Sequence, residues 1–188
     1  MSAVGVVDID YFSDVLCIWA YISQARVDAF TKKFSDSFLI KHHFCSVFGA
    51  TARKSLLAWN DEGAYEGFNS RLRDVAERFP HIELHQDVWL KTRPATSTNA
   101  HLFMKAVQQW EQDLHPPSAG SRPGVFDRVI WGLCCAFFRD CRDIARWDVQ
   151  CEIASSFGVD ITAIADRMRD GTPFALLTSE GPMQKSPR

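Results

Sequence analysis

No C-x-x-C pair occurs among the six cysteines of this 188-residue chain (Cys17, Cys45, Cys134, Cys135, Cys141 and Cys151), which argues against a paired-thiol zinc site. No apolar run approaches the roughly 20 residues that span a bilayer, so no membrane helix is expected. Basic excess is missing too. Lys and Arg number 21 against 23 Asp and Glu, a formal charge of −2, which speaks against nucleic-acid or anionic-membrane partners. Residues 1–8 carry no basic region and run straight into Asp8 and Asp10, unlike a signal peptide. The cysteines are therefore expected to be reduced thiols of a cytoplasmic protein. Phosphate-binding glycine loops, Ser/His/Asp orders, metal-ligand clusters, internal repeats and low-complexity segments are also absent.

What remains is an ordinary globular composition, 46% hydrophobic and 23% charged, in a chain long enough for one core or one domain carrying an insertion. The aromatics are scattered through helical patterns, away from Lys and Arg, and read as core. Residues 4–12 form a near-continuous β-prone run, as an inner strand would. Ser13 or Asp14 then caps a helix over 18–34, on which Ile18, Ile22, Ala25 and Ala29 recur at helical spacing. Residues 35–37 break it, and 38–48 read as a second strand ended by Gly49. Strand, helix and strand with short connections imply a parallel βαβ unit.

Helical patterns follow. They cover 64–79 and a stretch running to Leu114 whose cap is Thr96, Ser97 or Thr98. Further patterns cover 126–144, 147–157 and 161–169, and one more begins at Thr172-Pro173. Residues 82–90 read as extended, and 115–124 as a surface loop. Cys134 and Cys141, seven apart in one expected helix, read as small buried residues on one face. The organisation expected is a βαβ unit over 1–49, a helical subdomain over 50–178 and a frayed tail over 179–188.

Cys17 is the first candidate for reactivity. It stands where the strand gives way to the helix, and the unpaired N–H groups and dipole of a first turn favour thiolate over thiol. The surrounding Tyr11-Phe12-Ser13-Asp14, then Cys17, Trp19, Tyr21 and Ile22, resembles the D-x-x-C-P-W-C-Y-[IL] motif of the DsbA-like branch of the thioredoxin superfamily. The likeness is closest over 8–26. Ala100-His101 after Pro94 is similar to the family's N-T-x-x-A-H stretch, and Trp147 with 160–171 resembles its late helical insert. The fold class implied is α/β, a thioredoxin-like βαβ half with a large all-helical insertion.

Three departures narrow that expectation. Ala20 stands at the family's second cysteine, and Ile18 at its proline. Nothing after Thr178 reads as the family's ββα end with its cis-proline, and Thr172-Pro173 lies in a helix-start context. Two parallel strands make a poor sheet alone, so the chain is expected to stop short of the family's C-terminus.

The resemblance implies a thiol–disulfide oxidoreductase using Cys17 alone. An external thiol, glutathione above all, would resolve the mixed disulfide, since Cys45 on the second strand reads as a core residue. An alternative is a glutathione-dependent transferase or isomerase, like the kappa-class glutathione transferases and 2-hydroxychromene-2-carboxylate isomerases. Those families resemble the same motif with a serine at the position of Cys17. A redox-inactive binding domain is the third reading. Ser13, Asp14, Trp19, Ala20, His43 and His101 are the expected substrate-side residues. No permanently bound cofactor or metal is expected, with glutathione as co-substrate. The expected partners are a small thiol or a protein disulfide, and a homodimer fits as well. Strand alternation sends His42 and His43 to opposite faces; Tyr21 suits the core, and Arg93 a solvated loop.

Overall fold

The computed structural model describes residues 6–34, 37–53, 63–116, 118 and 123–183. The expected strand start at 4–5, the break at 35–36, most of the 117–122 loop and the tail beyond 183 lie outside the described residues. The elements in order are β1 (Val7–Ser13), α1 (Ile18–Phe34), β2 (Phe38–Phe44), α2 (Tyr65–Ala76), α3 (Thr98–Leu114), α4 (Val125–Phe138), α5 (Trp147–Ser156), α6 (Ile161–Asp170) and α7 (Thr172–Met183). The architecture is α/β, mostly helical with one small sheet. Among the described residues no helix is long and apolar enough to cross a membrane.

β1 and β2 pair in parallel, from Val7 opposite Phe38 to Ser13 opposite Phe44, with α1 as the crossover. The second strand is shorter than expected, ending at Phe44 before a turn over 47–50. β1 is not an inner strand. Among the described residues it has β2 as its sheet neighbour, and Val7, Asp8 and Asp10 are exposed.

α3 is the hub. Ala100, Phe103, Met104 and Val107 recur at helical spacing and are all buried. The helix packs against α4, α6 and α7, while α4 also receives α1 and α5. Gly132 on α4 allows the close approach of α5, because a Cβ there would meet Ile153 Cγ2 at 2.8 Å. The core is continuous from Leu16 and Ile22 through Phe44 and Trp89 to Phe137 and Ile164.

Several elements depart from the pattern. α4 ends at Phe138, six residues before the apolar pattern does. Asp140 N–H reaches Cys135 O at 3.0 Å, Arg142 N–H reaches Ala136 O at 2.8 Å, and Cys141 adopts a left-handed φ of 54°. Cys141 therefore leaves the helix and shares no face with Cys134; the Thr92 hydroxyl holds its carbonyl at 2.5 Å. Residues 82–90 are turns, not a strand, closed by one bridge between Val88 and Thr92. Fully buried Trp89 packs there against Phe48 and Phe137.

Residues 179–183, expected as the start of the frayed tail, complete α7. The reason is Glu180. Its carboxylate accepts the Phe44 N–H at 3.1 Å, meets His43 Nδ1 at 2.7 Å, and accepts a hydrogen bond from the buried Lys105 ammonium. Lys105 also donates to His42 O, as does Gln108, both at 3.1 Å. Side chains of α3 and α7 thus satisfy backbone groups along the outer edge of β2. Burial pushes the Lys105 amine below its ordinary range, and Glu180 opposes that shift.

Glu180→Ala removes the carboxylate partner of the buried Lys105 cation and one acceptor of the Phe44 N–H. The expected loss is about 3–5 kcal/mol of stability in urea unfolding, with amide-exchange protection lost first in α7.

Candidate functional site

The turn between β1 and α1 is built on Asp14. Its side chain is 1% exposed, and both oxygens are used. Oδ1 accepts the Leu16 N–H at 2.9 Å; Oδ2 accepts the Phe48 N–H at 2.9 Å and the Ser97 hydroxyl at 2.8 Å. Neither Ser13 nor Asp14 caps α1 as expected: Asp14 closes the loop before the helix, and Ser13 Oγ pairs with His42 Nε2 at 2.8 Å. Ser97 does precede α3, yet its hydroxyl turns to Asp14 instead of to its own helix.

His101 is fully buried and stacked on Phe44. Its Nε2 lies 3.3 Å from the Val15 nitrogen and 3.5 Å from Asp14 Oδ1. Those two contacts compete, since the first needs a lone pair on Nε2 and the second a proton. Burial raises the Asp14 carboxyl, but His101 and the N–H groups of Phe48 and Leu16 outweigh it and hold the carboxyl below its ordinary value.

Cys17 follows this anchored turn, half-buried against the core. Its N–H donates to Asp14 O at 2.9 Å, and its carbonyl accepts from Ala20 at 3.0 Å and Tyr21 at 3.3 Å. The first-turn N–H groups of Ile18 and Trp19 make no hydrogen bond among the described residues. Trp19 is 50% exposed and meets Phe79 edge-on, whereas Ala20 is half-buried. Tyr21 is core, stacked between Trp131 and Phe138, with its hydroxyl on Glu83 O.

Around Cys17 the structure thus gathers Ser13, Asp14, Trp19, Ala20 and, through Asp14, His101. His43 is not in this group. Its ring nitrogens are taken by Asp10 at 2.8 Å and Glu180 at 2.7 Å, while His42 turns to Ser13. A cavity of about 330 Å³ adjoins His43 between β2, α3 and α7, and Cys17 does not line it. Arg93 binds Trp89 O and lies over the Tyr65 ring. Among the described residues no group of His, Cys, Asp and Glu can hold a metal ion.

Three further residues lie near the thiol: Cys45, expected as a core residue of the second strand, and Cys134 and Tyr11, which the sequence did not bring to Cys17. Cys134 on α4 approaches Val15 O at 3.8 Å; Cys45, half-buried beyond β2 and not in the core, donates its N–H to Ser13 O at 2.9 Å; Tyr11 adjoins both. Burial, then Cys134, Cys17 and Cys45 in that order, push the Tyr11 phenol up. The signal in the sequence was the place of Cys45 on the strand expected beside the first one.

Asp14→Asn puts an amide N–H₂ against donors on one side or the other. It should remove about 2–3 kcal/mol of stability in urea unfolding at pH 7. Because the folded carboxyl titrates below its unfolded value, this contribution is complete above about pH 4. It disappears as the pH falls further through the folded value, so the gap between wild type and variant should close below pH 4.

No family model matches the chain, and no curated protein matches it in sequence. Solved structures do match in three dimensions. A candidate protein disulfide isomerase from Nitrosomonas europaea superposes with a TM-score of 0.67 at 10% identity, covering 97% of this chain and 81% of that one. The cytosolic disulfide reductase DsbM from Pseudomonas aeruginosa gives 0.64 at 14% identity over 95% of this chain and 78% of its own. The same reductase solved with GSH gives 0.64 at 14% identity, over 95% and 80%. With the βαβ unit and the helical segment over it, the chain has the DsbA-like thioredoxin fold.

Proposed function

We propose that this chain is a thiol–disulfide oxidoreductase whose nucleophile is Cys17, acting in the cytoplasm with glutathione as the external thiol. The observation that carries this reading is the position of Cys17. It is a half-buried thiol on a braced turn, at the start of a 17-residue helix, in the fold of proteins described as a disulfide isomerase and a disulfide reductase.

The Cys17 sulfur, as thiolate, attacks one sulfur of a disulfide; a new S–S bond forms as the old one breaks, and the departing half leaves as a thiolate. The unoccupied N–H groups of Ile18 and Trp19 offer hydrogen bonds to negative charge at the start of the helix. Asp14 holds the turn from behind through Leu16, Phe48 and Ser97 and acts as a positioning residue. Exposed Trp19 offers an apolar face to what the thiol engages. Ala20 supplies no second thiol in the helical turn, so glutathione is the external reductant consistent with the motif. The GSH in one of the DsbM structures supports that choice.

Turnover of a small disulfide with glutathione should fall at least about 100-fold in Cys17→Ser, read as thiol release per unit time. Oxidised glutathione should leave a glutathione-sized mass on Cys17 in the wild type, at least transiently. Glutathione that raises the melting temperature while never adding mass would overturn this reading in favour of the transferase or isomerase type.

A further inference from the structure

We propose that Cys45, from outside the Cys17–Ala20 turn, is the resolving cysteine: it attacks the mixed disulfide on Cys17 and closes a Cys17–Cys45 disulfide. This rests on the reading of Cys17 as the nucleophile and assigns to the chain itself the step that an external thiol would otherwise perform.

The geometry comes from the backbone where β1 ends. Cys45 donates its N–H to the carbonyl of Ser13, the last residue of β1, and Cys17 donates its N–H to the carbonyl of Asp14, the first residue of the turn, both at 2.9 Å. Two cysteines 28 positions apart in sequence are thereby hydrogen-bonded to consecutive residues at the end of one strand. Both are half-buried, so neither is sealed in the core. Cys45 also lies just beyond the strand, next to exposed chain. β2 has ended at Phe44, Val47 N–H turns back to Cys45 O at 2.9 Å, and Ser46 and Val47 are exposed.

Electrostatics agrees with this placement and gives the step an order. Burial raises the Cys45 thiol, and the charges of Asp14 and then Cys17 raise it further. Negative charge on the Cys17 sulfur opposes ionisation of Cys45. Once Cys17 is tied up in a mixed disulfide its charge is gone, and the barrier to ionising Cys45 drops. Cys134 has the same neighbour but a different setting. It is buried on α4 with its thiol toward Val15 O, and burial pushes it well above the ordinary thiol range.

The steps balance. Cys17 thiolate and a disulfide give a mixed disulfide and one thiolate. Cys45 then bonds to the Cys17 sulfur, and its proton goes to the second departing sulfur, which leaves as a thiol. Two glutathione thiols reduce the internal disulfide, restoring both cysteines and forming oxidised glutathione.

The test uses the full chain, oxidised glutathione as probe, and intact mass with non-reducing peptide maps of the wild type and Cys45→Ala. The wild type should end two hydrogens lighter with the Cys17 and Cys45 peptides linked. Cys45→Ala should retain glutathione on Cys17 at least about ten times longer, the loss of a neighbouring intramolecular thiol. An equally persistent adduct in both proteins, or a Cys17–Cys134 link, overturns the assignment of Cys45 and leaves Cys17 as nucleophile. Neither adduct nor link at Cys17 in either protein overturns the parent reading itself. If Cys45→Ala fails to fold, the wild-type map decides alone: the Cys17–Cys45 link supports the proposal, and a lasting adduct overturns it.

Discussion

The buried carboxylate of Asp14 joins parts of the chain that lie far apart in sequence. One side chain accepts from the loop before α1, from the backbone after β2 and from the residue just before α3, with His101 of α3 beside it. A charge with so little exposure is tolerable only because each oxygen has donors around it. That requirement fixes the separation of three segments. Cys17 inherits its position from this junction, so the reactive end of the βαβ unit is set by electrostatic satisfaction as much as by packing.

A second polar junction plays the same part on the far side of the sheet. β2 presents peptide groups to α3 and α7, which answer with Lys105, Gln108 and Glu180. A strand edge covered by side chains in this way is closed to other strands. The two junctions share β2 and α3 but treat adjacent histidines differently. His42 faces Ser13 and the aromatic rings of Phe44 and Phe126, while His43 lies between Asp10 and Glu180.

Local patterns carried much of this arrangement and long-range partners did not. The helix over 18–34 was legible because its apolar spacing is local, and the motif around Asp14 and Cys17 marks a strand-to-helix junction by itself. The partners of Asp14 were not legible. Phe48 contributes only a backbone N–H, which leaves no trace in residue type, and Ser97 lies 83 positions away and reads equally well as a helix cap. Alternation separated His42 from His43 without saying which would meet Ser13. The end of α4 was hidden because a left-handed turn at Cys141 carries no glycine to mark it. α7 was cut short because Gly181 and Pro182 dilute its pattern, and the ion pair that holds it is visible only in three dimensions.

The bond from Phe44 to Glu180 closes a loop of 136 residues. A chain made from its N-terminus has completed both strands long before the helix that covers them exists. Until α7 arrives, the Phe44 N–H and the Lys105 ammonium lack the Glu180 carboxylate. Contacts of such separation are the slow ones in folding, because the entropy of closing the loop must be overcome before any of them forms. The βαβ unit is therefore the earliest part of the fold to be synthesised and among the last to be completed. In that interval its open strand edge is the surface through which the nascent chain is most exposed to mispairing.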